Sequence, residues 1–427
     1  MAIDLVLDDF LGLNNVLPPE MLTLKVAFAK KQQYLAEAKN VDITNSFEAR
    51  RRAGYSAIYR ASVHSLWSGS GMCLFRDGQT LKMLRDDLSA ADVLRSGIIG
   101  NRPMTYLALN DLVYYSDGTY SGIIEGGVDR SWGLAVPPMA GLSSTWGTLL
   151  AGHYRVAVSY LRADGQESGT SEPAMIEIAD NSGIAIAITA SSDPTVTAIL
   201  IYVTRCDGET FYQAYRQANA VQTVSHITEQ AMSTTFSKTL LFGPPPAGTM
   251  LEYYNGHIYI VDQSTIWHTE PFRYELIDAL QDYLSFDRDV TLMGAVEDGM
   301  FFGTDTEIAF AQGPGPRKFS MERKTSYGAV KGTMQVIDHL EKDGTLKKWI
   351  AFVSKEGLCF GKPGGEIDNV TRNNYIMPPA CSGAGLIRTS DGVQQYIAVL
   401  KGNNAQETPG YTGRGRLPAL YCAGALA

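Results

Sequence analysis

Residues 251–267, LEYYNGHIYIVDQSTIW, constrain the fold more than any other stretch of the chain. Asn255-Gly256 is a dipeptide suited to a two-residue hairpin turn, where both positions take positive φ. Ile258, Tyr259, Ile260 and Val261 behind it are β-branched or aromatic, the side chains that fit a pleated, half-buried surface. Asp262 opens a second polar turn and Ile266-Trp267 starts another strand. One hairpin of this kind excludes little, but the pattern recurs. In residues 104–125, MTYLALNDLVYYSDGTYSGIIE, Tyr106 stands where Tyr253 stands, Asn110 where Asn255 does and Asp117 where Asp262 does, with a one-residue slip between them. Weaker copies carry Asp77-Gly78 in 65–84, Asp298-Gly299 in 292–312, Glu356-Gly357 in 350–367 and Asp391-Gly392 in 386–400. Starts near 64 and 104, and near 251 and 291, are roughly forty residues apart, the spacing of propeller blades. Radial repetition disposes of many strand edges without a layer of helices. The expected fold class is therefore all-β, a β-propeller.

Two regions depart from the repeat. Residues 139–243 read as about seven short strands, among them GIAIAITA and a strand–turn–strand around Asp207-Gly208, which fits an immunoglobulin-like or fibronectin-like β-sandwich. Gly243-Pro244-Pro245-Pro246 is a stiff linker, and the repeat resumes at Leu251. The sandwich thus reads as an insertion between blades, so the blades flanking it must meet in space. At the N-terminus, residues 1–23 form an arm stiffened by Pro18-Pro19. Residues 24–39, LKVAFAKKQQYLAEAK, are rich in good helix formers and read as one N-terminal helix. The expected organisation is an arm, helix and first propeller strands at 1–59, blades at 60–138, the sandwich at 139–243, further blades at 244–402 and a polar, glycine-rich arm at 403–427.

Chemistry is sparse. The six histidines fall in no H-E-x-x-H pattern. His257 and His268 lie on two arms of one hairpin, but no third metal ligand accompanies them. No G-x-S-x-G elbow, P-loop or G-x-G-x-x-G is present. Five scattered cysteines without C-x-x-C argue against a disulfide framework or a zinc ribbon. Asp117, Asp262 and Asp305 recur at comparable turns. A sialidase-like propeller would use such carboxylates for catalysis, but their repetition favours bonding to their own turn backbones. Trp67, Trp267 and Trp349 read as core, and Trp132 and Trp146 as packing between sandwich and blades. The expectation is a non-enzyme with no catalytic, cofactor-binding or metal-binding residues. A net charge of −9 argues against non-specific adhesion to nucleic acid. The acidic start (Asp4, Asp8, Asp9) and the lack of a long apolar run predict a soluble protein with no cleaved signal and no membrane partner. Basic groups Arg50, Arg51, Arg52, Arg317, Lys318, Arg414 and Arg416 are the candidates for subunit contacts.

Several segments carry a family resemblance: FLGLNNVLPPEML, NVDITNSFEARRRAGY, HSLW, RPMTYLALNDLVYYSDGT, WGLAVPP, YLRADGQESG and MLEYYNGHIYIVDQSTIWHTEP. With these the chain resembles the tail hub, or nozzle, proteins of short-tailed bacteriophages. The resemblance covers 10–60 and 100–270 well and the remainder loosely, and departs from the family at 24–39. It implies a β-propeller subunit of a ring, six to the ring, below the head–tail adaptor and around the channel through which genomic DNA leaves without specific binding. Partners would be further copies, the adaptor, and a tail fibre, spike or needle protein. The location would be the virion tail, assembled in the host cytoplasm. Two rival readings are a glycan-binding or glycan-cleaving propeller of the same virion and an intracellular propeller scaffold.

Overall fold

The structure is a computed structural model and describes residues 10–24, 32–39, 41–43, 48–51, 58–59, 63–341, 344–390, 393–402 and 419–422. Strands make up 53% of it, and among the described residues there is no α-helix, only short 3-10 turns. The chain divides into two compact units, Val63–Ser285 and Met1–Ser62 with Phe286–Ala427.

The first unit contains three four-stranded antiparallel sheets. Sheet I runs Val63–Gly69, Met72–Asp77, Thr80–Leu84, Ala91–Arg95; sheet II runs Thr105–Leu109, Leu112–Ser116, Ser121–Glu125, Val128–Ser131. Sheet III runs Met250–Tyr254, His257–Asp262, Thr265–His268, Tyr283–Ser285. Each is an antiparallel meander; in sheet III the short strand Ile277–Asp278, paired with Phe242–Gly243, intervenes before the last strand. Neighbouring sheets are held by shared cores. Leu74 and Leu81 of sheet I pack with Val113, Tyr115 and Ile124 of sheet II. Tyr114 and Ile123 of sheet II pack with Leu251, Ile258 and Ile260 of sheet III. These central strands are buried on both faces, which is why they read as continuous apolar runs. Asn255 (φ 45°) and Gly256 (φ 90°) make the two-residue turn between Tyr254 and His257. Asn110 and Asp111 do the same in sheet II, both with positive φ.

The second unit holds sheets IV (Leu292–Val296, Gly299–Gly303, Ile308–Gln312, Ser320–Thr325) and V (Gln335–Leu340, Leu346–Ser354, Gly357–Gly361, Ile367–Asn369). It also holds the three-stranded sheet VI (Ser382–Ser390, Val393–Lys401, Ala419–Cys422). Phe301 and Phe310 of sheet IV pack with Phe352 and Cys359 of sheet V; Val353 and Phe360 of sheet V pack with Tyr396 and Ala398 of sheet VI. Small meanders stacked through shared cores make the architecture β-propeller-like.

Between sheets II and III the chain forms seven strands in two further sheets. In chain order these are Gly141–Leu149, Gly152–Arg162, Ala174–Ile178, Ser182–Ile188, Val196–Val203, Tyr212–Ala218 and Gln222–His226. Counting along the chain, one sheet has the order 1-4-7 and the other 3-2-5-6. Ile184, Ile186 and Ile188 of the first face Val156, Val158, Ile199 and Ile201 of the second in one core. This is a two-layer sandwich whose order departs from the 1-2-5-4 and 3-6-7 sheets of an immunoglobulin constant domain.

The helix expected at 24–39 is corrected where it is described. Gln32–Leu35 is a strand, parallel to Phe10–Leu13 and antiparallel to Thr23–Leu24; residues 25–31 lie outside the described residues. Helix propensities differ by only a few tenths of a kcal/mol per residue, too little to outweigh pairing with two partner strands.

Candidate functional site

The recurring carboxylates diverge once placed. Asp117 follows the second strand of sheet II and is buried. Its Oδ1 accepts the backbone N–H of Thr119 at 2.9 Å and of Tyr120 at 2.8 Å. Its Oδ2 accepts Arg76 Nη1 at 2.7 Å, an ion pair with both side chains fully sealed from solvent. Arg76 sits in the second strand of sheet I, in the apolar run MCLFRD. Its remaining donors reach the carbonyls of Gly78, Ile98, Gly100 and Arg102. The pair therefore clamps sheet I to sheet II. The same turn in sheet IV uses no carboxylate: the Thr304 hydroxyl accepts the N–H groups of Thr306 and Glu307. Asp262 lies inside its strand opposite Thr265, and Asp305 is half-exposed against Arg288 at 3.2 Å. The shared turn role expected of the three thus belongs to Asp117 and Thr304. Asp262 ends a strand that is one residue longer and has only Gln263-Ser264 as its turn, and Asp305 stands one position past Thr304.

A second charged cluster ties the sandwich to sheets II and III. Arg130, in the last strand of sheet II, donates from Nη1 and Nη2 to Glu275 Oε1 at 3.1 and 3.2 Å. Arg162, at the end of the second sandwich strand, donates to Glu275 Oε2 at 3.0 Å and to Ser131 Oγ at 3.0 Å. Ser131 Oγ also donates to Asp193 Oδ2 at 2.8 Å. Burial pushes the Glu275 carboxyl up, while Arg130 and Arg162 hold it back. Burial also acts to raise Asp193, but the Thr195 hydroxyl and N–H, the Ser131 hydroxyl and Arg162 outweigh it and hold this carboxyl below its usual range. Arg76, Arg162 and Glu275 carry no motif. The only sign available in the sequence is a charged residue inside or beside an apolar strand.

The histidine pair is close but chemically committed. The His257 and His268 ring centroids are 5.5 Å apart and nearly perpendicular. His257 Nδ1 bonds the Thr269 carbonyl at 2.6 Å, and His268 Nδ1 lies 3.8 Å from Asp282. Among the described residues no group of three or more histidine, cysteine or acidic side chains could hold a metal.

Trp132 is buried in the core between sheets II and III, donates to the Tyr274 carbonyl at 2.8 Å and meets Tyr114 edge-on. Trp146 is 74% exposed, so it does not pack sandwich against blades as expected; its strand lies at a sheet edge. Trp67, Trp267 and Trp349 are half-buried against the sheet cores.

The subunit-contact candidates are dispersed. Arg50 and Arg51 are exposed on Ala49–Arg51, a strand paired with Val41–Ile43. Arg317 and Lys318 are exposed on the turn Pro316–Lys318. Arg52, Arg414 and Arg416 lie outside the described residues. Among those described, no helix is long and apolar enough to cross a membrane.

No known protein family matches the chain, and no curated protein does. Solved structures do. BBS1N in complex with ARL6DN is 10% identical with a TM-score of 0.32, over 82% of this chain and 90% of that one. The N-terminal domain of Nup159 is 8% identical with a TM-score of 0.30, over 79% and 73%. The periplasmic gluconolactonase PpgL of Pseudomonas aeruginosa is 10% identical with a TM-score of 0.25, over 75% and 87%. Likenesses this weak carry no argument about function.

Proposed function

We propose that the chain is a structural, non-enzymatic subunit of a bacteriophage tail, a hub or nozzle protein. It assembles as a ring, hexameric by the resemblance, below the head–tail adaptor. It surrounds the channel for genomic DNA and offers surface to a fibre, spike or needle protein, and its place is the virion tail. The observation that carries this reading is where the buried charge goes. Arg76, Asp117, Arg162 and Glu275 are all committed to joints between sheets. Asp117 is sealed from solvent, so the glycan-cleaving alternative loses its most prominent carboxylate. A net charge of −9 also suits a conduit from which duplex DNA must not be retained. Within this reading the sandwich is an inserted module of the immunoglobulin and fibronectin-like class with a strand order of its own.

Native mass spectrometry of the full chain, alone and with the adaptor, tests the proposal. Defined oligomers are expected. A protein that stays monomeric with its virion partners overturns it.

A further inference from the structure

We infer that a cleft at the turn ends of sheets I and II receives the arginine-bearing arm of a second copy of this chain, with Asp86 and Asp111 facing Arg414 and Arg416. The identity of the partner rests on the ring reading above.

The cleft has a volume of about 680 Å³, and Met72, Met83, Asp86 and Asp111 are among its lining residues. Three two-residue turns also contribute to it: Ser70-Gly71, Asn110-Asp111 through Asp111, and Gly126-Gly127, all with positive φ. Such turns are short and tight, so they leave room rather than fill it. A Cβ on Gly71 or Gly126 would meet nothing within 4 Å. Met72 and Met83 are half-buried against the sheet core and give the cleft a deformable apolar floor.

Its rim carries uncompensated negative charge. Arg85 is bound to Asp92 through Nε at 3.0 Å, and Asp87 is held by Ser89. Asp86 and Asp111 are exposed, and among the described residues neither has an ion-pair partner. The matching ligand has an aliphatic stem for the thioethers and a cationic head for the carboxylates, which describes arginine.

The chain supplies such a ligand at 403–418, where Arg414 and Arg416 are flanked by Gly413 and Gly415 and Glu407 is the only acid. In extended chain, residues i and i+2 point to one side, about 7 Å apart. Arg416 and Arg414 precede the strand Ala419–Cys422 by three and five residues. That gives them a reach of roughly 10–17 Å beyond its start.

A double-mutant cycle on self-association of the full chain tests this. Asp86→Asn with Asp111→Asn forms one arm, since Asn keeps the left-handed turn that position 111 requires. Arg414→Gln with Arg416→Gln forms the other. Each arm is expected to weaken self-association about tenfold, and all four changes together no further, because they remove one contact. Unchanged association in either arm, or full additivity, overturns the assignment. A fluorescent peptide of residues 409–418 separates this from the ring reading. Equal binding to wild type and D86N/D111N overturns the cleft assignment. A monomeric chain that binds the peptide only with both aspartates present removes the ring and keeps the cleft.

Discussion

Arg76 lies wholly out of contact with water, and all its donor nitrogens are engaged: one carboxylate and four carbonyls. A guanidinium is tolerated there because no donor is left unmet and its charge is matched. Asp117→Asn keeps the turn but removes the countercharge. It is expected to lower stability by about 3–5 kcal/mol, read by urea unfolding, without changing glycan binding. A surviving melting temperature with loss of a glycan-binding signal would favour the alternative function. His226, in the last sandwich strand, is the acid-sensitive counterpart. Burial pushes it down to about 4 from its ordinary 6.5, and Glu229 only partly opposes this. The folded state keeps the ring neutral, so the unfolded chain takes up the proton first as the pH falls. The contribution is complete above about pH 6.5 and declines toward pH 4, by about 3 kcal/mol. His226→Phe is expected to flatten the fall in melting temperature between pH 7 and pH 5. At this scale the sequence shows that Asp117 can turn its own backbone. It hides Arg76, because the partner is 41 residues away and in another sheet.

The hairpin turn at Asn255-Gly256 was the most legible element, because Asn-Gly reports φ directly. The misread element, Gln32–Leu35, shows the converse: good helix formers yield when partner strands are available. The strand Gln335–Leu340 escaped the repeat although it opens sheet V and Asp343-Gly344 lies in the sequence between it and its partner Leu346–Ser354; its mixed run QVIDHL lacks the continuous apolar stretch of the other copies. Thr304 taking the place of Asp117 shows why residue type alone misaligned the copies: a hydroxyl and a carboxylate can accept the same N–H groups. Gly256 and Gly71 allow the turn argument to be measured. Both have positive φ, but only a Cβ on Gly256 would press on Phe272, at 3.1 Å. Gly71→Ala is expected to cost about 1 kcal/mol for backbone strain, and Gly256→Ala about 1 kcal/mol more for the ring. Equal costs in denaturant unfolding would remove the Phe272 contact from the account.

Across the Val63–Ser285 unit, Glu275 is where sheet II, the sandwich and the loop of sheet III converge. Glu275→Ala leaves Arg162 buried without its main countercharge. Calorimetry is expected to resolve two transitions, sandwich and sheets, where wild type gives one. A single unchanged transition would show that the apolar cores alone couple them. That convergence could not be read in advance, since it joins residues more than a hundred positions apart that share no pattern. The shared core of sheets II and III has a further consequence, for synthesis. Tyr114, Ile123 and Trp132 leave the ribosome well over a hundred residues before Leu251, Ile258 and Ile260. At usual elongation rates that interval is on the order of 10 s, far longer than a small sheet needs to form. For that time one apolar flank of sheet II is open to any other nascent chain. A sandwich that folds early, on its own local contacts, shortens the effective loop and brings the third sheet back to the flank that awaits it.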